Sequence, residues 1–160
     1  MSSTTTSVDI RNFTRRSAPG FPYKKIAEAI LPNWDISLVF CGEDRAQNLN
    51  VSLRGKDYVP NVLSYETGAP LAQTAKFKEP HSGEIIICLP VAKKQAQSYG
   101  LSYPHFTVFL FIHGLLHLKG MPHGTTMERH ESTFLKRFTG AMPNYSDDLT
   151  NHGSKNSNRH

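Results

Sequence analysis

Cysteine is scarce in this sequence: two among 160 residues, Cys41 and Cys88, in separate apolar stretches and without C-x-x-C or repeated spacing. That excludes a disulfide framework and leaves two buried reduced thiols as the expectation, as in a reducing cytosol, with a single disulfide left to geometry. Acidic residues are also the minority, 13 against 18 Lys and Arg, for a net charge of +5. The excess favours anionic partners such as nucleic acid, yet it is dispersed over Arg15-Arg16, Lys24-Lys25, Arg54-Gly55-Lys56 and Lys93-Lys94 rather than gathered in a basic tail. Long hydrophobic runs are missing too. Residues 1–17 hold no apolar core of signal-peptide length, and the most apolar stretch, 106–118, is shorter than the ~20 residues of a spanning helix and carries two histidines. A soluble cytoplasmic protein with no membrane partner is expected.

What is present reads as one domain over residues 1–143, followed by a polar, aperiodic tail over 144–160 that is expected to be disordered. Alternation predicts strands over 5–11, 35–41 and 62–65, and the continuous run Ile85, Ile86, Ile87, Cys88 predicts a strand over 84–89 buried on both faces. Helical spacing predicts helices over 23–31, 43–53, 90–99, 103–118 and 125–138. The fourth is apolar all round and therefore central; the fifth is expected to expose Glu128, Arg129 and Lys136. Residues 67–80 lack a period and read as an exposed loop.

Most of the chemistry is concentrated in His113-Gly114-Leu115-Leu116-His117-Leu118-Lys119-Gly120-Met121-Pro122-His123. Residues four apart share a helix face, so His113 and His117 can reach one ion. Gly120 can reverse the chain, and His123 then arrives from a loop. Three imidazoles leave a fourth tetrahedral position for water or substrate, as in catalytic zinc sites. As separate polar residues, each imidazole would need its own partner to offset desolvation, whereas one shared cation serves all three. Metzincin proteases share this spacing, but their glutamate base is replaced here by Gly114, which excludes peptide hydrolysis by that route.

The same block resembles the hallmark His-Gly-x-Leu-His-Leu-x-Gly-Tyr-Asp-His of the YbeY family of single-strand endoribonucleases and ribosomal-RNA maturation factors. Leu49-Asn50 with Arg54-Gly55-Lys56-Asp57, Asn61-Val62-Leu63-Ser64-Tyr65 and Gly83-Glu84-Ile85-Ile86-Ile87 resemble three further family blocks in the same order, so that the likeness covers roughly residues 36–138. Met121-Pro122 departs from the family's Tyr-Asp, removing a carboxylate that could have supported His123 and so bearing on metal affinity. Leu53 replaces a tyrosine, Val59-Pro60 differs from the usual residues, and Glu84 stands for aspartate.

The resemblance implies an α+β fold: a small mixed β-sheet packed with about five helices, with a zinc site at the end of the central buried helix. It implies one Zn2+ held by His113, His117 and His123, a catalytic Arg54 lining the same cleft, and Arg54 and Lys56 binding substrate phosphate. The expected function is zinc-dependent, single-strand-specific endoribonucleolytic cleavage in ribosomal RNA maturation at the small-subunit 3′ end and in ribosome quality control. Expected partners are single-stranded and ribosomal RNA and the ribosome or its small subunit, with no DNA. Zinc-activated water, a substrate group and Glu84 remain open as general base. Two rival readings are a zinc hydrolase of a non-RNA substrate and a non-catalytic ribosome-assembly factor whose zinc only holds the cleft in shape.

Overall fold

The computed structural model describes residues 5–68 and 81–145. Strands β1 (Ser7–Asn12), β2 (Trp34–Cys41), β3 (Val62–Thr67) and β4 (His81–Cys88) form one sheet in the spatial order β1-β2-β4-β3. β1, β2 and β4 run parallel; β3 pairs antiparallel with β4. Helices α1 (Tyr23–Ile30), α2 (Glu43–Arg54), α3 (Leu89–Gln95), α4 (Tyr103–Leu118) and α5 (Thr125–Thr139) complete an α+β fold, with a 3-10 turn at Ala96–Tyr99. The mixed sheet and five helices agree with the architecture implied by the resemblance.

Alternation along the strands separates two layers of core. Ile36, Leu38, Phe40, Ile85 and Ile87 point to the face that carries α1 and α4, and Val39, Cys41, Ile86 and Cys88 to the face that carries α2 through Ala46. β4 is therefore buried on both faces, as its unbroken apolar run predicts. The cysteines sit opposite each other in the β2–β4 register, both buried and both free.

α4 is the central element. Its first turn is fixed by Ser102, whose hydroxyl accepts the His105 N–H at 3.2 Å, and by Pro104, whose preset φ suits the first turn. Every residue from Phe106 to Leu116 is buried, and each Phe or Leu among them stabilises the fold by about 1.5–3 kcal/mol. At its far end Met121 N–H reaches Leu116 O at 3.0 Å and Gly120 N–H reaches His117 O at 2.9 Å, with Gly120 at φ +100°. This pair of bonds closes the helix with a left-handed residue that glycine adopts without steric cost. No single helix among the described residues is long and apolar enough to cross a membrane.

Several boundaries differ from the sequence expectation. β4 starts at His81 rather than residue 84 because His81 and Ser82 continue the ladder opposite Trp34 and Asp35, a pairing that polar side chains do not prevent. β3 likewise extends to Thr67, paired with Ser82. Glu128, expected to be exposed, is half-buried, whereas Arg129 and Lys136 are exposed. Most of the expected loop over 67–80, and residues 146–160 of the expected tail, lie outside the described residues. Of the expected tail, Asn144 and Tyr145 are held to the fold: exposed Asn144 donates its backbone N–H to Tyr99 O at 2.8 Å, and half-buried Tyr145 sets its ring 6.2 Å from that of Phe109.

Candidate metal centre

His113 and His117 stand one turn apart at the C-terminal end of α4, and the Gly120 reversal brings His123 back against them. Their Nε2 atoms converge: 3.1 Å between His113 and His117, 2.8 Å between His117 and His123, and 3.4 Å between His113 and His123. Zinc–nitrogen bonds of about 2.0–2.1 Å in a tetrahedron would space the nitrogens at about 3.3–3.4 Å, so the triangle is close to the size one such ion requires. Burial is graded across it, with His113 buried, His117 half-buried and His123 exposed, which leaves one side open to solvent. It is the one metal-capable group of His, Cys, Asp and Glu found among the described residues.

The outer ring nitrogens explain the orientation. His113 Nδ1 lies 2.5 Å from Glu131 Oε2, and His117 Nδ1 lies 3.1 Å from the carbonyl oxygen of Met121. Both partners are acceptors, so each Nδ1 carries the proton and donates it, and each Nε2 presents a lone pair. The Nε2 atoms of His113 and His117 then face one another as two acceptors 3.1 Å apart. A shared cation satisfies that arrangement, and the donor set of three neutral imidazoles suits zinc.

Glu131 is a functional residue that sequence reasoning missed. It comes from α5, is 2% exposed, and receives a hydrogen bond from the Tyr145 hydroxyl to Oε1 at 2.6 Å. Burial, and then the adjacent Glu131 charge, pushes the Tyr145 hydroxyl well above the ordinary tyrosine range, so it remains protonated and donates. A signal was present: Glu131 lies midway between Met127 and Leu135 on the buried stripe of α5, where a carboxylate requires a partner. The carboxylate that meets an imidazole of this group is therefore Glu131, directed at His113.

Arg54 ends α2, half-buried, with Nη1 donating to Asn50 Oδ1 at 3.1 Å and to the Tyr58 hydroxyl at 2.7 Å. Lys56 is exposed just beyond Gly55, whose φ of +68° terminates the helix. α2 packs on the sheet face opposite α4, so the helix bearing Arg54 and the helix bearing the histidines are separated by the sheet. Glu84 belongs to the α2 side as well: Tyr65 and Ser37 donate hydrogen bonds to its carboxylate, and neighbouring Ile85 faces α4. That face assignment argues against Glu84 as a base acting at the histidines. Among the histidines given no role, His81 stacks on Trp34 at 4.8 Å, and His152 and His160 lie outside the described residues.

A family model described as Endoribonuclease YbeY matches residues 4–139. A protein named Endoribonuclease YbeY from Thiobacillus denitrificans is 35% identical over 128 residues, which cover 76% of this chain and 82% of that relative. One of the same name from Sulfurihydrogenibium is 34% identical over 118 residues, 74% of this chain and 75% of the relative. A third, from Staphylococcus epidermidis, is 39% identical over 104 residues, 63% of this chain and 67% of the relative. Among solved structures, the solution structure of TM1509 from Thermotoga maritima superposes with a TM-score of 0.55 over 94% of this chain and 97% of that one. At 19% identity this likeness concerns the fold alone.

Proposed function

This chain belongs to the YbeY family of endoribonucleases, and we propose that it cleaves single-stranded RNA with one zinc ion held by His113, His117 and His123. Family membership makes it an endoribonuclease, a hydrolase of RNA phosphodiester bonds. The convergence of three Nε2 atoms, two of them with their outer nitrogens already engaged by acceptors, is the observation that supports a metal-dependent reaction.

When bound, zinc supplies Lewis acidity that polarises a phosphate oxygen and lowers the pKa of a water to about 7. The chain's own residues do the rest. Met121 O and Glu131 hold the ligand imidazoles in the tautomer that offers Nε2, and the open side at His123 admits substrate. Arg54 is assigned to the negative charge of the phosphate, with its guanidinium held in place by Asn50 and Tyr58, and Lys56 adds attraction for the RNA backbone. Since α2 and α4 lie on opposite faces of the sheet, the bound strand would have to pass a sheet edge to meet both groups.

The physiological substrate in this reading is ribosomal RNA, cleaved during maturation of the small-subunit 3′ end and in ribosome quality control, with the ribosome or its small subunit as partner. The net charge of +5 supports an RNA partner. A cytoplasmic location is part of the same reading, supported by free Cys41 and Cys88. Replacing His117 by alanine is expected to abolish metal retention and cleavage of a single-stranded RNA together. Full cleavage by protein shown to be metal-free would overturn the proposal.

A further inference from the structure

We infer that Tyr145 is a positioning residue of the metal centre, acting through Glu131 on His113. The inference rests on the reading of His113, His117 and His123 as metal ligands.

After α5 the chain reverses at Gly140, which takes φ +79°, and the following residues fold back along the core. Asn144 N–H bonds to Tyr99 O at 2.8 Å, and the Tyr145 ring packs edge-on to Tyr99 at 6.5 Å and at a tilt to Phe109 at 6.2 Å. Those contacts set the Tyr145 hydroxyl 2.6 Å from Glu131 Oε1, while the other carboxylate oxygen, Oε2, lies 2.5 Å from His113 Nδ1. The line Tyr145–Glu131–His113 therefore joins the segment after the last helix to the most buried imidazole of the triad.

The physical requirement is orientation. A carboxylate turns about a terminal torsion with broad minima, so one hydrogen bond at one oxygen leaves the other oxygen free to swing. Engaging both oxygens from opposite sides fixes the carboxylate plane, which fixes the His113 ring through its Nδ1 and hence the aim of Nε2. Glu131 and His113 are each 2% exposed, so water does not readily substitute for a missing donor. Packing alone does not require the hydroxyl: phenylalanine at 145 would make the same ring contacts and lose the hydroxyl's bonds to Glu131 and to Ser132.

The test compares the full-length wild type with Tyr145→Phe, Glu131→Gln and the double variant. Zinc affinity is read by competition with a chromophoric chelator, and ligand geometry by the visible spectrum of the Co2+-loaded protein. Glu131→Gln is expected to weaken zinc binding by about 10–100-fold and Tyr145→Phe by about three- to tenfold, with both shifting the Co2+ bands. The double variant is expected to bind no more weakly than Glu131→Gln alone, because the hydroxyl acts through the carboxylate. Wild-type affinity and spectrum in Tyr145→Phe, or a tyrosine effect undiminished in the Glu131→Gln background, would overturn the inference while leaving the metal reading intact. A wild-type protein that binds neither ion would remove both.

Discussion

Gly114 of α4 and Ile85 of β4 are packed so closely that a β-carbon on Gly114 would stand 3.0 Å from Ile85 Cγ2 and 3.2 Å from its Cδ1. Where the metzincin motif has its glutamate, this chain has a residue whose missing side chain lets the helix lie on the strand. A side chain built there would point into the sheet, so the protease base is excluded by packing as well as by sequence.

Gly114→Ala is expected to destabilise the protein. Alanine gains about 1 kcal/mol of helix propensity, but overpacking a closed core costs about 1–3 kcal/mol. Ile85 is fully buried and has little room to yield, so a net loss on the order of 1 kcal/mol follows. Urea unfolding measures it; an unchanged or higher midpoint would mean that α4 lifts away from β4 without penalty.

Metal removal should lower stability as well as activity. An ion that binds only the folded chain contributes about 4 kcal/mol when present at a thousand times its dissociation constant. Thermal unfolding of the wild type is therefore expected to move down on chelation and to recover on adding Zn2+, with His117→Ala insensitive to both. A midpoint that ignores zinc would be incompatible with a filled triad.

The buried thiols give a pH dependence of definite sign. Burial, the first cause for each, pushes Cys41 up to about 12 and Cys88 up to about 11. A folded pKa above the unfolded value means that the stabilisation is fully present below the unfolded thiol pKa of about 8.5–9 and is lost as pH rises toward 11 and 12. Urea midpoints should accordingly fall between about pH 9 and 11. At pH 8 neither thiol should react with an aromatic disulfide reagent until urea is added; rapid reaction of the native protein would contradict the burial.

Arg54→Ala is expected to reduce kcat/KM on single-stranded RNA by about 10²-fold, the usual effect of removing a donor from transition-state charge, while zinc affinity stays at the wild-type value. The division between the constants is informative because the sheet separates α2 from α4. A fall confined to kcat supports contact with the reacting phosphate, a rise confined to KM limits Arg54 to holding the strand, and wild-type cleavage would remove it from the reaction.

The histidine constellation was legible because it is local. The spacing of His113 and His117 is a helix turn, Gly120 is a chain reversal, and His123 follows within reach, so consecutive residues describe the geometry without knowledge of the rest of the chain. α4 was legible for a similar reason: Ser102, Pro104 and an apolar surface all round mark a capped, buried helix. Glu131 was harder to see because it is 18 positions from His113, and α5 reads as a surface helix until its buried stripe is separated from its charges. Tyr145 was counted with a polar tail, since nothing near it in sequence reveals that Tyr99 and Phe109 receive its ring.

Spacing and the fixed order of blocks along the chain were enough to pick out the metal-capable histidine triad, the strand buried on both faces and the family. It took the folded arrangement to show that Gly114 serves the contact with Ile85, that Glu84 and the helix bearing Arg54 belong to the sheet face opposite α4, and that Glu131 and Tyr145 support His113. The physical reason is that a helix turn or a strand alternation fixes direction relative to near neighbours alone. Which face meets which, and which buried acid meets which imidazole, is set when the sheet and helices close on a common core.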